Sequence, residues 1–194
     1  DLCGFPKDVA WYLRSWWTKD TVLHILPHWN WKGEEGQVKD VWVYSNCNEV
    51  ELWLNGKSLG RKKMEPLGHL EWKVAYKPGE LKAVGYINGK KVLLSKRETT
   101  GATAKAVVTA DRKEIRADNK DLAVVTVAVQ DAAGRAIPTA ADAFTFEIEG
   151  PGRIIGVGNG NPVSLEPERF IPTVQSMQPV MVKEKTIMQL PNNN

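Results

Sequence analysis

The sequence is short of most features that announce a chemistry. It has two cysteines, Cys3 and Cys47, too far apart to make a metal-ligand pattern. Two separate thiols are the simpler expectation for them, and a disulfide is the other. It has three histidines, His24, His28 and His69. His24 and His28 stand four apart, a helical spacing, but in a stretch that alternates and runs into a proline. No metal centre is therefore expected, and no cofactor. There is no GxSxG, no cysteine in a nucleophile's setting, and no glycine loop between a strand and a helix to cradle phosphate. GVGNGNP, residues 156–162, reads as a turn. A net charge of +3 with scattered Lys and Arg argues against a nucleic-acid partner. No apolar run approaches bilayer length, so no membrane partner is expected. No signal peptide is visible, and Asp1 opens a chain that reads as cut from something longer.

What is present is unevenly spread. All eight tryptophans lie at or before Trp72, and the remainder is rich in Ala, Val, Asp and Gly. So sharp a shift predicts two units with separate cores. Residues 6–17, PKDVAWYLRSWW, read as a helix: Pro6 suits a first helical position, Asp8 suits the first turn, and Val9, Leu13 and Trp16 or Trp17 share a face. So short a helix needs a partner to cover that face.

From Thr21 the period becomes two. TVLHILP, VKDVWVYSN, EVELWLNGKSLG, HLEWKVAY and ELKAVGYINGKKVLLSKRE read as strands. In EVELWLNG, Val50, Leu52 and Leu54 point one way and Glu51, Trp53 and Asn55 the other, as in a two-faced antiparallel sheet. Asn55-Gly56 and Asn88-Gly89 are tight hairpin turns by composition, and Pro78-Gly79 is a further turn. TTGATAK, residues 99–105, reads as a linker. AKAVVTADRKEIRA, LAVVTVAVQDAAG and FTFEIEGPGRIIGVGN then supply a second set of strands, with turns at Ala133-Gly134 and Gly150-Pro151-Gly152. In the tail, VMVKEKTIMQL reads as one more strand or hairpin and PNNN as disordered. The second set falls short of about seven strands, which would leave an open sheet edge.

A glycosidase needs two carboxyls facing each other across a sugar pocket. Asn48-Glu49 resembles the pair around a glycosidase acid/base, but Glu49 opens a strand after a turn, and Glu34 and Glu35 lie in a polar loop. All three read as solvated, so no catalytic residue is expected in the chain. PHWNW, residues 27–31, is the remaining candidate. In an alternating stretch Trp29 and Trp31 share one face, with His28 and Asn30 opposite. Packing is the first reading of that pair. The second is a sugar platform of His28, Trp29 and Trp31, since a pyranose stacks its C–H face on indole.

DLCGFPKD with its aromatic helix, VLHILPHWNW, VWVYSNCNEVELWLNGKSLGR and HLEWKVAYKPGELKAVGY together resemble the C-terminal part of bacterial glycoside hydrolase family 2 enzymes, of the β-galactosidase type found in Bacteroides-like bacteria. ADRKEIRADNKDLAVVTVAVQDAAGRAIPTA and FEIEGPGRIIGVGNGNPVS resemble the immunoglobulin-like domain that follows in them. The resemblance covers residues 1–165, and the tail after it departs from the pattern. It implies an all-β chain of two consecutive β-sandwich (immunoglobulin-like) domains, preceded by one short helix left over from a (β/α)8 barrel. Residues 1–20 would end that barrel, 21–99 form the first sandwich and 100–190 the second, with the second incomplete. Both catalytic glutamates would lie upstream, in a barrel that hydrolyses terminal β-galactosides with retention, and the parent would be exported or periplasmic. The partners implied are that upstream barrel, a carbohydrate, and a second copy through the exposed helix or an open sheet edge. An apolar patch around Trp11, Trp16 and Trp17 is expected where the barrel is missing.

Overall fold

The computed structural model describes residues 6–118, 120–148, 153–158 and 185–189. The chain divides into two compact units, one over Pro6–Thr100 and the other from Gly101 onward. Cys3, the turn at residues 150–152, most of the glycine-rich stretch 156–162, residues 159–184 and the PNNN end lie outside the described residues.

The first unit opens with α1 (Asp8–Trp17). The helix starts two residues later than Pro6 suggests, with Lys7 at its N-cap. Thr18 ends it by giving both its N–H and its hydroxyl to the Arg14 carbonyl. Seven strands follow: β1 (Leu23–Leu26), β2 (Val38–Ser45), β3 (Glu49–Leu54), β4 (Lys57–Lys63), β5 (Leu70–Ala75), β6 (Glu80–Ile87) and β7 (Lys90–Glu98). They form two antiparallel sheets, ordered β1-β2-β5 and β4-β3-β6-β7. Three strands against four is an immunoglobulin-like sandwich. Ile25, Val41, Val43, Trp72 and Val74 from the first sheet meet Val50, Leu52, Leu81 and Ala83 from the second, all buried. The alternation that places Val50 and Leu52 inward turns Glu51 and Trp53 outward.

Both Asn-Gly turns form as the sequence predicts. Asn55 and Gly56 have φ of 48° and 79°, and Asn88 and Gly89 have 50° and 74°, the left-handed pair that matches strand twist. Asn55 also crosses to the next turn: its Nδ2 donates to Pro78 O and its Oδ1 accepts from Glu80 N. This brings its side chain against Gly79, where an added Cβ would stand 1.9 Å from Oδ1 at a φ of 133°. Only glycine fits there.

α1 packs on the β1–β2 side of this sandwich and belongs to the same unit. Its inward residues are Tyr12, which donates to Leu67 O at 2.6 Å, the buried Ser15, and Trp16, whose indole N–H reaches Gly68 O. Trp16 also packs on the core. The expected exposed trio of tryptophans is therefore reduced: Trp17 is 76% exposed, while Trp11 and Trp16 are half-buried.

In the second unit the described strands are β8 (Thr103–Ala110), β9 (Ala123–Asp131), β10 (Arg153–Gly158) and β11 (Lys185–Gln189), in one antiparallel sheet ordered β10-β11-β9-β8. β9 is interior, as its nearly continuous apolar run predicts, with Val125, Val127 and Val129 buried. KEIRA, read as a continuation of β8, is instead loop. There aspartates replace the ladder: Asp121 accepts from Arg116 N, and Asp118 from Lys120 N and Asp121 N. Residues 145–148 form no strand either.

At the end of β9 sits Asp131, 1% exposed. Its carboxylate accepts from Gly101 N, Ala133 N and Arg135 N, and from the Arg135 guanidinium at 2.8 Å. These donors, the Gly101 N–H first among them, hold its carboxyl well below the usual carboxylate range.

Candidate functional site

Pro27 ends β1, and the PHWNW segment is irregular backbone rather than strand. The alternation assumed for Trp29 and Trp31 therefore fails. Trp29 is fully buried. Its ring stands edge-on to Tyr76 at 5.2 Å, its N–H donates to Lys77 O at 3.0 Å, and its carbonyl accepts from the Thr99 hydroxyl. Trp29 cannot belong to a sugar platform, because no face of it reaches solvent. His28 and Trp31 pair with each other instead, at 4.5 Å between ring centroids, as residues three apart on a curling backbone can. Both are half-buried, and the Lys39 ammonium sits 4.4 Å from the Trp31 ring centroid while pairing with Glu34. Burial lowers the His28 pKa. Asn30 turns the other way and accepts from Thr100 N and the Thr100 hydroxyl. PHWNW thus pins the end of its own unit at Thr99 and Thr100.

A second cluster lies under α1. His24 and Tyr44 are partners across β1 and β2. Trp11 stacks on His24 at 5.0 Å, Tyr12 meets Tyr44 edge-on, and Trp42 and Tyr44 both reach His69. His24 Nε2 is 2.7 Å from Asp8, and its Nδ1 faces the Arg97 guanidinium at 3.3 Å. Arg97 can only donate, so Nδ1 accepts and the ring proton belongs on Nε2, given to Asp8. Burial lowers the His24 pKa against the opposing pull of Asp8. His24 is a neutral connector of helix and sheet. His24 and His69 both pack on Tyr44 while His28 packs on Trp31, and among the described residues no group of three potential metal ligands converges. These long-range ties had no signal in the sequence, since Asp8, His24 and Arg97 belong to three different elements.

Of the three carboxylates considered from sequence, Glu49 and Glu34 are paired with cations and Glu35 is a loop charge. Glu49 pairs with Arg61 at 2.6 Å, and Arg61 lies over the Tyr86 ring. Glu34 pairs with Lys39, and Glu35 is exposed in its loop. Glu51, beside Glu49 on β3, accepts from the Ser58 and Tyr86 hydroxyls, and the Ser58 bond leads in lowering its pKa. Cys47 is a free thiol, 1% exposed, and burial pushes its pKa up. No helix among the described residues is long and apolar enough to cross a membrane.

Two family profiles match the chain. Residues 36–93 match a domain of unknown function, DUF4982, and residues 107–177 match glycoside hydrolase family 2 C-terminal domain 5. The β-galactosidase BoGH2A of Bacteroides ovatus is 46% identical over 169 residues, covering 86% of this chain and 20% of that protein. A putative β-glucuronidase of Formosa agariphila is 37% identical, over 84% of this chain and 16% of its own length. The crystal structure of a family 2 glycosyl hydrolase from Bacteroides cellulosilyticus superposes with a TM-score of 0.88 at 32% identity, over 100% of this chain and 28% of that one. The chain spans about a fifth or less of the length of these curated relatives. With its antiparallel sheets and its matching family profile, the chain belongs to the C-terminal region of glycoside hydrolase family 2 proteins.

Proposed function

We propose that the chain is a non-catalytic C-terminal region of a retaining β-galactoside hydrolase, supporting a catalytic barrel carried elsewhere in a longer, exported polypeptide. The observation that carries the reading is the state of the carboxyls. A glycosidase acid needs its pKa raised, in an apolar site facing a second carboxylate. Here Glu51, Asp111, Asp118 and Asp131 are all held down by hydrogen bonds, Glu51 first by the Ser58 hydroxyl and Asp111 first by Val124 N–H. The β-galactosidase relative at 46% identity favours galactosides over glucuronides as the parent's substrate.

The test is hydrolysis of nitrophenyl β-galactoside and nitrophenyl β-glucuronide by the 194-residue chain and by its longer parent. The chain alone is expected to turn over neither, and the parent the galactoside. Turnover by the chain itself would overturn the reading, and glucuronide-only turnover by the parent would replace its substrate. Of the platform expected from sequence, the half-buried His28–Trp31 pair is what remains for sugar binding. Calorimetry with galactosides up to millimolar concentration is expected to give no heat.

A further inference from the structure

Three elements meet at the His24 imidazole. β1 and β7 are edge strands of the two sheets, and they lie side by side. A side-chain hydrogen bond crosses this seam: Arg97 Nη2 on β7 donates to His24 Nδ1 on β1 at 3.3 Å. The other ring nitrogen, Nε2, stands 2.7 Å from the Asp8 carboxylate at the start of α1. Trp11 fixes the ring plane, stacked on it within 9°. Arg97 is itself half-buried; burial lowers its pKa first, and the Asp8 charge acts against that.

We infer that Asp8, His24 and Arg97 form a proton-operated latch: neutral His24 closes the β1–β7 seam, and one proton on its Nδ1 opens the seam while tightening the hold on α1. Only the neutral ring can accept from Arg97. In the imidazolium both nitrogens donate, so Nδ1–H points at a guanidinium that can also only donate. Two cations then face each other where one is already poorly hydrated. Nε2–H keeps its carboxylate, and that bond becomes charge-assisted. The proton thus takes His24 from β7 and gives it more firmly to α1. The charged and titratable groups facing His24 are Asp8 from α1, Arg97 from β7 and Tyr44 from β2, with His69 beyond Tyr44. Burial raises the Tyr44 pKa, so its phenol stays neutral throughout. For His24, burial lowers the pKa first, with Arg97 acting the same way and Asp8 against both. A lowered value in the closed state fixes the sign. The latch is complete above the open-state value near about 6.5 and weakens as pH falls below it towards the closed-state value.

The test is backbone amide exchange in the 194-residue chain, corrected for the intrinsic effect of pH on exchange. Between about pH 7.5 and about pH 5, protection over residues 94–98 of β7 is expected to fall roughly threefold or more, while α1 keeps its protection. His24→Asn retains a side-chain acceptor near the Nδ1 position and takes up no proton, and its β7 protection is expected to be the same at both pH values. Arg97→Gln can still donate to Nδ1 but carries no charge. Its His24 midpoint, read from the imidazole proton resonances, is expected to rise by about half a unit or more. That second variant carries the test alone if His24→Asn does not fold. A midpoint unmoved by Arg97→Gln would overturn the latch, since Arg97 would not then oppose the proton. So would unchanged β7 protection in the wild type, or a wild-type fall that persists in His24→Asn. Joint loss of protection in α1 and β7 would also overturn it, because the proton would then release both partners instead of exchanging them.

Discussion

Trp29→Ala is expected to destabilise the Pro6–Thr100 unit by about 4 kcal/mol, the usual scale for emptying a tryptophan site in a core. The ring is fully buried, so the substitution leaves a cavity bounded by Tyr76 and removes the donor to Lys77 O. Trp29→Phe keeps a six-membered ring but loses the N–H and part of the ring volume, and is expected to cost about 2–3 kcal/mol, less than the alanine, for the carbonyl left without its partner and the smaller void. Urea melts followed by tryptophan fluorescence measure both, because every tryptophan lies in this unit. A sugar platform would behave in the opposite way, with an unchanged midpoint and a lost binding heat. A cost for Trp29→Ala near zero would therefore remove the packing role assigned to this ring.

Asp131→Ala is expected to act on the other unit alone. It strips the acceptor from three backbone N–H groups, at Gly101, Ala133 and Arg135, and unpairs the Arg135 guanidinium from it. All four tyrosines and all eight tryptophans fall before residue 100, so near-ultraviolet signals see only the first unit. The expected result is a far-ultraviolet melting step lowered by roughly 10 °C, with the fluorescence transition unmoved. The pH dependence has a definite sign. The folded carboxyl is depressed, so its contribution is complete above the unfolded value near about 3.9 and is lost as pH falls below that towards the folded value. Acid unfolding of the second unit should begin below about pH 4 in the wild type and lose that component in Asp131→Ala. A variant that shifts both transitions together would refute the assignment.

What could be read from sequence was local. Asn55-Gly56 and Asn88-Gly89 declare their hairpins because the turn depends on its own two residues, and Val50, Leu52 and Leu54 declare their face because a strand has period two. The orientation of PHWNW failed for the same reason. The period applies only inside a strand, and Pro27 ends β1 before Trp29 is reached. α1 was half legible: its apolar stripe is real, but the sandwich takes the side that carries Ser15, which no hydrophobicity pattern would choose. Asp131 drew no reading from the sequence beyond standing before the Ala133-Gly134 turn, because its first donor is 30 residues away. The candidate site fared worst, since His24 owes its state to Asp8 and Arg97 on other elements.

The two Asn-Gly turns also set how the molecule ages. Deamidation begins when the next residue's amide nitrogen attacks the carboxamide carbon, and glycine does least to obstruct it. Asn55 is held off that path by Pro78 O on one end of its carboxamide and Glu80 N on the other. The Asn88 carboxamide is exposed and has no such pair of holders among the described residues. On prolonged storage at mildly alkaline pH, isoaspartate is expected at Asn88 well before Asn55. Peptide mapping that found the reverse order would show that the Asn55 clasp opens freely in solution.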